Sequence, residues 1–203
     1  MSKPSTSRQL GIPVVDLFAG PGGLGEGFSA ALDANGNPAF RIVISIEMDP
    51  HAHQTLELRA FYRQFSEDDR PGDYYKYIAG PTPEARDALF AKFPAQAAAA
   101  RSEAWLHELS NPTAAEVTST VRKSIVHPDQ PWVLIGGPPC QAYSLAGRAR
   151  RKNDKTFARD KKHTLYLHYL RLIRDLKPTV FVMENVKGLL SAKRGGSSPT
   201  IPR

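Results

Sequence analysis

The chain has a single cysteine, Cys140, in 203 residues. One thiol excludes an internal disulfide, as expected of a chain kept in a reducing cytoplasm. No group of cysteines and histidines has metal-ligand spacing, so no resident metal is expected. No apolar run reaches the ~20 residues needed to cross a bilayer, and the N-terminus lacks an apolar signal core. No membrane role is therefore expected. Acidic side chains are in deficit, with 20 against 27 lysines and arginines, for a net charge of +7. That balance suits a polyanionic partner, although charge speaks to association and not to chemistry. Hydrophobic residues make up 41% of the chain, enough for one domain with a real core.

The one cysteine lies in Gly136-Gly137-Pro138-Pro139-Cys140-Gln141-Ala142-Tyr143-Ser144. An apolar run, residues 132–135, precedes it and reads as a short buried strand. Two glycines let the chain leave that strand sharply, and two prolines stiffen it before the thiol. Most free cysteines are small buried hydrophobes. A thiol on a rigid turn at a strand end is instead placed to act as a nucleophile.

Upstream, residues 12–18 read as a buried strand that runs into Ala19-Gly20-Pro21-Gly22-Gly23-Leu24-Gly25. Gly20, Gly22 and Gly25 fit G-x-G-x-x-G between a strand and a helix expected over residues 22–34, which is a dinucleotide-type turn. The next strand, residues 41–46, ends at Glu47 and Met48. An acid about 20 residues past the glycines can accept from both hydroxyls of a ribose; its competing role is to cap the helix expected over residues 51–64. His51 and His53 read as solvated. Residues 65–130 read as a helical insertion laid over the sheet, with helices over 83–93, 95–109 and 114–125 broken by prolines. In this reading Trp105, Leu106 and Leu109 share one helix face, and residues 66–73 form a polar turn.

Residues 148–162 hold Arg148, Arg150, Arg151, Lys152, Lys155, Arg159, Lys161 and Lys162 against Asp154 and Asp160. A basic loop attached to a nucleophile turn can close over a phosphate backbone. A helix over 164–176 and a buried strand over 179–183 follow, ending at Glu184-Asn185-Val186. Gly20, Glu47, Cys140 and Glu184 would then all sit at C-terminal strand ends, where parallel α/β sheets collect ligands. The fold class expected is α/β, a Rossmann-like sandwich with a mostly parallel sheet. Residues 1–11 and 192–203 read as flexible ends around a domain over 12–191.

Asp16-Leu17-Phe18-Ala19-Gly20-Pro21-Gly22-Gly23, Gly137-Pro138-Pro139-Cys140-Gln141 and Glu184-Asn185-Val186 resemble, in order and spacing, three motifs of the DNA (cytosine-5)-methyltransferase family. The resemblance implies S-adenosylmethionine as cofactor, with Phe18, Gly20, Gly22, Gly23, Glu47, Met48, Pro138 and Leu165 around it. It implies Cys140 as the nucleophile toward cytosine C6 and Glu184 as the group that hydrogen-bonds the ring. It implies double-stranded DNA with a flipped-out cytosine as substrate, contacted by Gln141, Ser144, Arg148, Arg150, Arg151 and Lys162. A bacterial, nucleoid-associated enzyme of a restriction–modification system is the setting it suggests. The family's contact to the adenine amine has two candidate positions, Gly72-Asp73 and Glu108-Leu109. The family's later arginine-bearing strand, target-recognition region and final helix have no counterpart, so the chain is expected to be a fragment, a truncated gene product or one half of a split enzyme, the last with a complementing C-terminal polypeptide as partner. The rivals are a tRNA cytosine-5 methyltransferase, a non-catalytic DNA- or cofactor-binding fragment, and a nicotinamide oxidoreductase. The last would explain the glycine turn and Glu47 but neither Pro-Pro-Cys nor Glu-Asn-Val.

Overall fold

The computed structural model describes residues 11–66, 68–125, 130–138 and 165–184. Twelve elements are defined among them. In chain order they are β1 (Ile12–Leu17), α1 (Gly23–Ser29), β2 (Phe40–Glu47), α2 (Pro50–Arg63), α3 (Gly72–Ala79), α4 (Pro83–Lys92), α5 (Pro94–Glu103), β3 (Ala104–Leu106), α6 (Ala114–Ser124), β4 (Val133–Gly136), α7 (Leu165–Leu176) and β5 (Val180–Met183). The strands form one parallel sheet in the order β3-β2-β1-β4-β5. The chain steps outward from β1 to β2 and β3, then returns to the other side of β1 for β4 and β5. The reversal opens a crevice between the C-terminal ends of β1 and β4, where such sheets bind ligands. This is the Rossmann-like α/β architecture expected from the sequence.

Two apolar faces hold the sheet. Val15, Leu17, Ile44, Ile46 and Leu134 pack with Val117 and Val121 of α6 and Tyr169 and Leu172 of α7. On the other face Val14, Ile42, Val133 and Ile135 pack against Leu24 and Phe28 of α1. Tyr169 is wholly buried, and its hydroxyl lies 3.1 Å from the Leu134 carbonyl and 3.0 Å from that of Val182, tying α7 to β4 and β5. A third cluster joins α2, α4 and α5 through Leu56, Phe61, Leu89, Phe90, Ala97 and Ala100. Proline opens α2, α4 and α5, where its missing N–H costs nothing.

Four expectations are corrected. The helix after the glycine turn stops at Ser29, because Asp33 Oδ1 accepts from the amides of Asn35 and Asn37 (2.8 and 2.9 Å) and folds the chain back toward β2. Trp105 and Leu106 share no helix face; they lie in β3, paired in parallel with Ile46 and Glu47. Residues 65–130 are therefore mostly helical but also supply the sheet's outer strand. Residues 72 and 73, expected in a turn, begin α3. The strand before Glu184 is not buried: Val180, Phe181 and Val182 are 52%, 53% and 38% exposed.

Candidate active site

The turn after β1 carries unusual backbone. Phe18, Gly20 and Gly22 all have positive φ, at 55°, 56° and 88°. Glycine adopts that region freely, whereas Phe18 is held there at a cost. A side chain at Gly20 or Gly23 would meet nothing within 4 Å, so both face open space. One at Gly22 would strike Leu56 Cδ1 of α2 at 2.8 Å. Arg59 of α2 donates to the Pro21 carbonyl at 2.9 Å and braces the turn from outside.

Glu47 is 9% exposed at the end of β2. One carboxylate oxygen accepts from the Gly20 amide at 2.8 Å and the other from the Asp49 amide at 2.7 Å. The cap of α2 is Asp49, which accepts from the amides of His51 and Ala52. Glu47 is thus not a helix cap; it latches the glycine turn. Met48 follows it, 55% exposed at the same edge, and Phe18 packs half-buried against the main core cluster.

Across the crevice, β4 ends at Gly136, followed by Gly137 and the buried Pro138. Glu184 leaves β5 beside them, its amide donating to the Gly136 carbonyl at 2.9 Å. A β-carbon added to Gly137 would lie 2.8 Å from Glu184 Oε2, so the glycine is what lets that carboxylate settle against the turn. The two halves of the edge are therefore a glycine turn latched by Glu47 and a glycine–proline turn flanked by Glu184. Leu165 opens α7, half-buried. Cys140, Gln141, Ser144, Arg148, Arg150, Arg151 and Lys162 lie outside the described residues. Of the two candidates for an adenine-amine contact, Asp73 is on α3 in an ion pair with Lys92 at 2.5 Å, while Glu108 comes just after β3, where the His107 amide donates to the Glu47 carbonyl at 2.9 Å.

Residues 109–201 match the model of the C-5 cytosine-specific DNA methylase family. Over that stretch the chain is similar to that family. It is 31% identical over 196 residues to the type II methyltransferase M.Bpa9945I of Bacillus paralicheniformis, covering 90% of this chain and 42% of that protein. It is 30% identical over 197 residues to the putative type II methyltransferase M.MjaORF1200P of Methanocaldococcus jannaschii, covering 86% and 48%. A 63-residue stretch is 44% identical to the DNA (cytosine-5-)-methyltransferase M.ApeKI of Aeropyrum pernix, covering 31% of this chain and 13% of that one. The chain spans about half the length, or less, of these relatives. Among the described residues no cluster of three or more metal-ligating side chains occurs, and no helix is long and apolar enough to cross a membrane.

Sequence reasoning passed over Asp16, quoted only as part of a motif. It is 1% exposed beneath α1, and neither oxygen meets hydrogen-bond geometry with any partner. Burial raises its pKa to about 7, against the opposing pull of the Arg63 guanidinium and the nearby Gly25 backbone, with Glu47 adding to the rise. A folded-state pKa above the unfolded one means that the folded protein holds the extra proton. The stability this gives is complete below the unfolded value of 3.8 and is lost as pH rises through about 7. At one pKa unit per 1.36 kcal/mol, wild type should lose about 3 kcal/mol between about pH 5 and about pH 8 relative to Asp16→Asn. Urea denaturation of both proteins across that range checks this; parallel pH profiles would contradict it.

Proposed function

We propose that the chain is the catalytic, cofactor-binding part of a DNA cytosine-5 methyltransferase of a restriction–modification system. The observation that supports this best is the meeting, at one sheet edge in a chain similar to C-5 methylases, of the Glu47-latched glycine turn with the Gly137–Glu184 pair. The open space at Gly20 and Gly23 fits a cofactor lying against backbone, and the exposed Met48 offers it an apolar surface. Bound there, S-adenosylmethionine would supply an electrophilic methyl on a sulfonium. Glu47 would hold the ribose while keeping its grip on the Gly20 amide, since each carboxylate oxygen has a second lone pair. Phe18, Gly22, Gly23, Pro138 and Leu165 would complete the pocket. Glu108, at the end of β3, is better placed than Asp73 for the adenine amine.

Cytosine C5 is a weak nucleophile. The Cys140 thiolate adds to C6, the ring's C5–C6 electron pair shifts to C5, and C5 becomes enamine-like. Glu184 hydrogen-bonds N3 and the exocyclic amine, offsetting charge on the ring. After C5 has been alkylated, loss of its proton returns the electron pair and expels the Cys140 thiolate. The base must leave the duplex to be reached. Gln141, Ser144, Arg148, Arg150, Arg151 and Lys162 would grip the DNA around it. A complementing polypeptide would supply recognition elements and cover β5, whose exposed Val180 and Phe181 form an apolar edge.

The test is a covalent trap. The chain is incubated with S-adenosylmethionine and duplex DNA carrying 5-fluorocytosine, with a tRNA acceptor in parallel and Cys140→Ser as control. A duplex-dependent adduct that resists denaturation and needs Cys140 is expected. An adduct only with tRNA would replace the DNA reading. No adduct from a folded chain that binds the cofactor would assign the missing step to a complementing polypeptide. No cofactor binding at all would remove the cofactor reading.

A further inference from the structure

The opposite edge of the sheet holds a second feature that methyl transfer does not use. β3 begins only where Ala104 pairs with Ser45, so the first half of β2 has no strand on its outer side. The ladder also slips there: Val14 pairs with Ile42 and Val15 with Ile44, leaving Val43 as an extra, bulged residue. Bulges re-aim side chains and recur beside binding sites. A groove of about 580 Å³ lies over this stretch, within the size range of small-ligand sites. Its walls carry Arg41, Arg101 and Lys123, the hydroxyls of Ser102 and Thr120, and Trp105, with no acidic side chain among the lining residues.

The charges are incompletely matched. Arg101 reaches Glu57 at 3.3 Å. Lys123 has no ion pair among the described residues. Arg41 has none either: the nearby Glu103, whose pKa burial raises against the opposing pull of Arg63 and, more weakly, of Arg41, is committed to Arg63. Arg41 Nε is buried with no acceptor. A buried donor left unmade is costly, and an anion arriving from the groove would satisfy it. Arg101 and Lys123 sit in the last turns of α5 and α6, where cations offset the helix ends. Arg41 is on a strand, and no helix end accounts for it.

We propose that this groove is a binding site for a phosphate-bearing anion, separate from the catalytic edge. The cationic side chains and hydroxyls match phosphate oxygens, and Trp105, one face of which stacks on His107, lines the groove where a base attached to them would lie. Its occupant is either a bare di- or polyphosphate or a nucleotide, which share that chemistry.

Calorimetric titration of the chain at low salt with inorganic pyrophosphate and with uridine diphosphate tests this. Neither probe carries the adenosine that the catalytic edge is proposed to bind. Saturable binding is expected, weakened at least about tenfold by Arg41→Gln and by Lys123→Gln, since a charge-assisted hydrogen bond contributes ~1.5–3 kcal/mol. Arg171→Gln, on α7 outside the groove, is expected to bind as wild type does. Equal affinity for the two probes identifies a bare phosphate site. Tighter uridine diphosphate binding that Trp105→Phe weakens identifies a nucleotide site. No saturable binding of either probe, binding indifferent to Arg41 and Lys123, or an equal loss in Arg171→Gln overturns the proposal. So does a groove that takes duplex DNA but neither diphosphate.

Discussion

Gly136→Ala should leave little folded protein, while its neighbour Gly137→Ala should fold normally and lose activity. The contrast follows from what each new methyl would meet. At Gly136 it would overlap the Leu17 carbonyl oxygen and press on Tyr169 Cε2 at 3.0 Å. Neither can yield. Leu17 is locked between β2 and β4 by the ladders on both sides, and Tyr169 is fully buried with its hydroxyl against two strand carbonyls. Overpacking of that kind costs about 3 kcal/mol or more, a large share of a domain's stability. At Gly137 the methyl would meet only Glu184 Oε2, at 2.8 Å. That atom is the free end of an exposed side chain and can swing away. The fold is spared, but the carboxylate proposed to grip the cytosine ring is displaced, and an ångström of misplacement costs about 100-fold. Urea denaturation and rate of adduct formation, measured on both variants, separate the outcomes. A stable, fully active Gly137→Ala would remove Glu184 from the reaction.

The second large effect is at Glu47. Glu47→Ala deletes the acceptor of both the Gly20 and Asp49 amides, and with it the carboxylate proposed to accept from the ribose hydroxyls; losing charge-assisted hydrogen bonds to the ribose should weaken S-adenosylmethionine binding about 100-fold. Glu47→Gln separates the two roles of the side chain. Its amide oxygen can still accept from one backbone N–H, so the turn is partly held, while the nitrogen cannot accept from a ribose hydroxyl. Cofactor affinity should therefore fall more steeply than stability in Glu47→Gln, whereas both fall in Glu47→Ala. Calorimetry and thermal unfolding on the pair decide it. Unchanged affinity in Glu47→Ala would leave Glu47 as a latch and nothing more.

The turn after β1 was legible because its signals are local. A buried strand followed by Gly20, Gly22 and Gly25 can be read within a few residues, since Gly20 and Gly22 take the positive φ that glycine adopts freely. Proline at the start of α2, α4 and α5 marked those helices for a similar reason. The Cys140, Gln141 and basic-segment assignments rest on sequence alone, and those residues fall outside the described structure. Errors arose where local pattern met non-local pairing. Trp105, Leu106 and Leu109 are spaced as for a helix, yet residues 104–106 join the sheet because the outer side of β2 offered free backbone groups. No window of sequence contains that offer. Arg59 bracing Pro21, 38 positions away, is illegible for the same reason.

The sequence by itself determined β1, β2, β4 and β5, the helices other than α3, and the glycine turn, because short-range sterics and contiguous motifs carry them. Only the tertiary structure decided that Glu47 latches Gly20 and does not cap α2, that Asp73 pairs with Lys92 on α3, and that the Asp16 carboxylate is buried without a hydrogen-bond partner. It alone placed Arg41, Arg101 and Lys123 around one groove. Each of these is a relation between residues brought together by sheet pairing, and burial and charge proximity exist only once that pairing has formed.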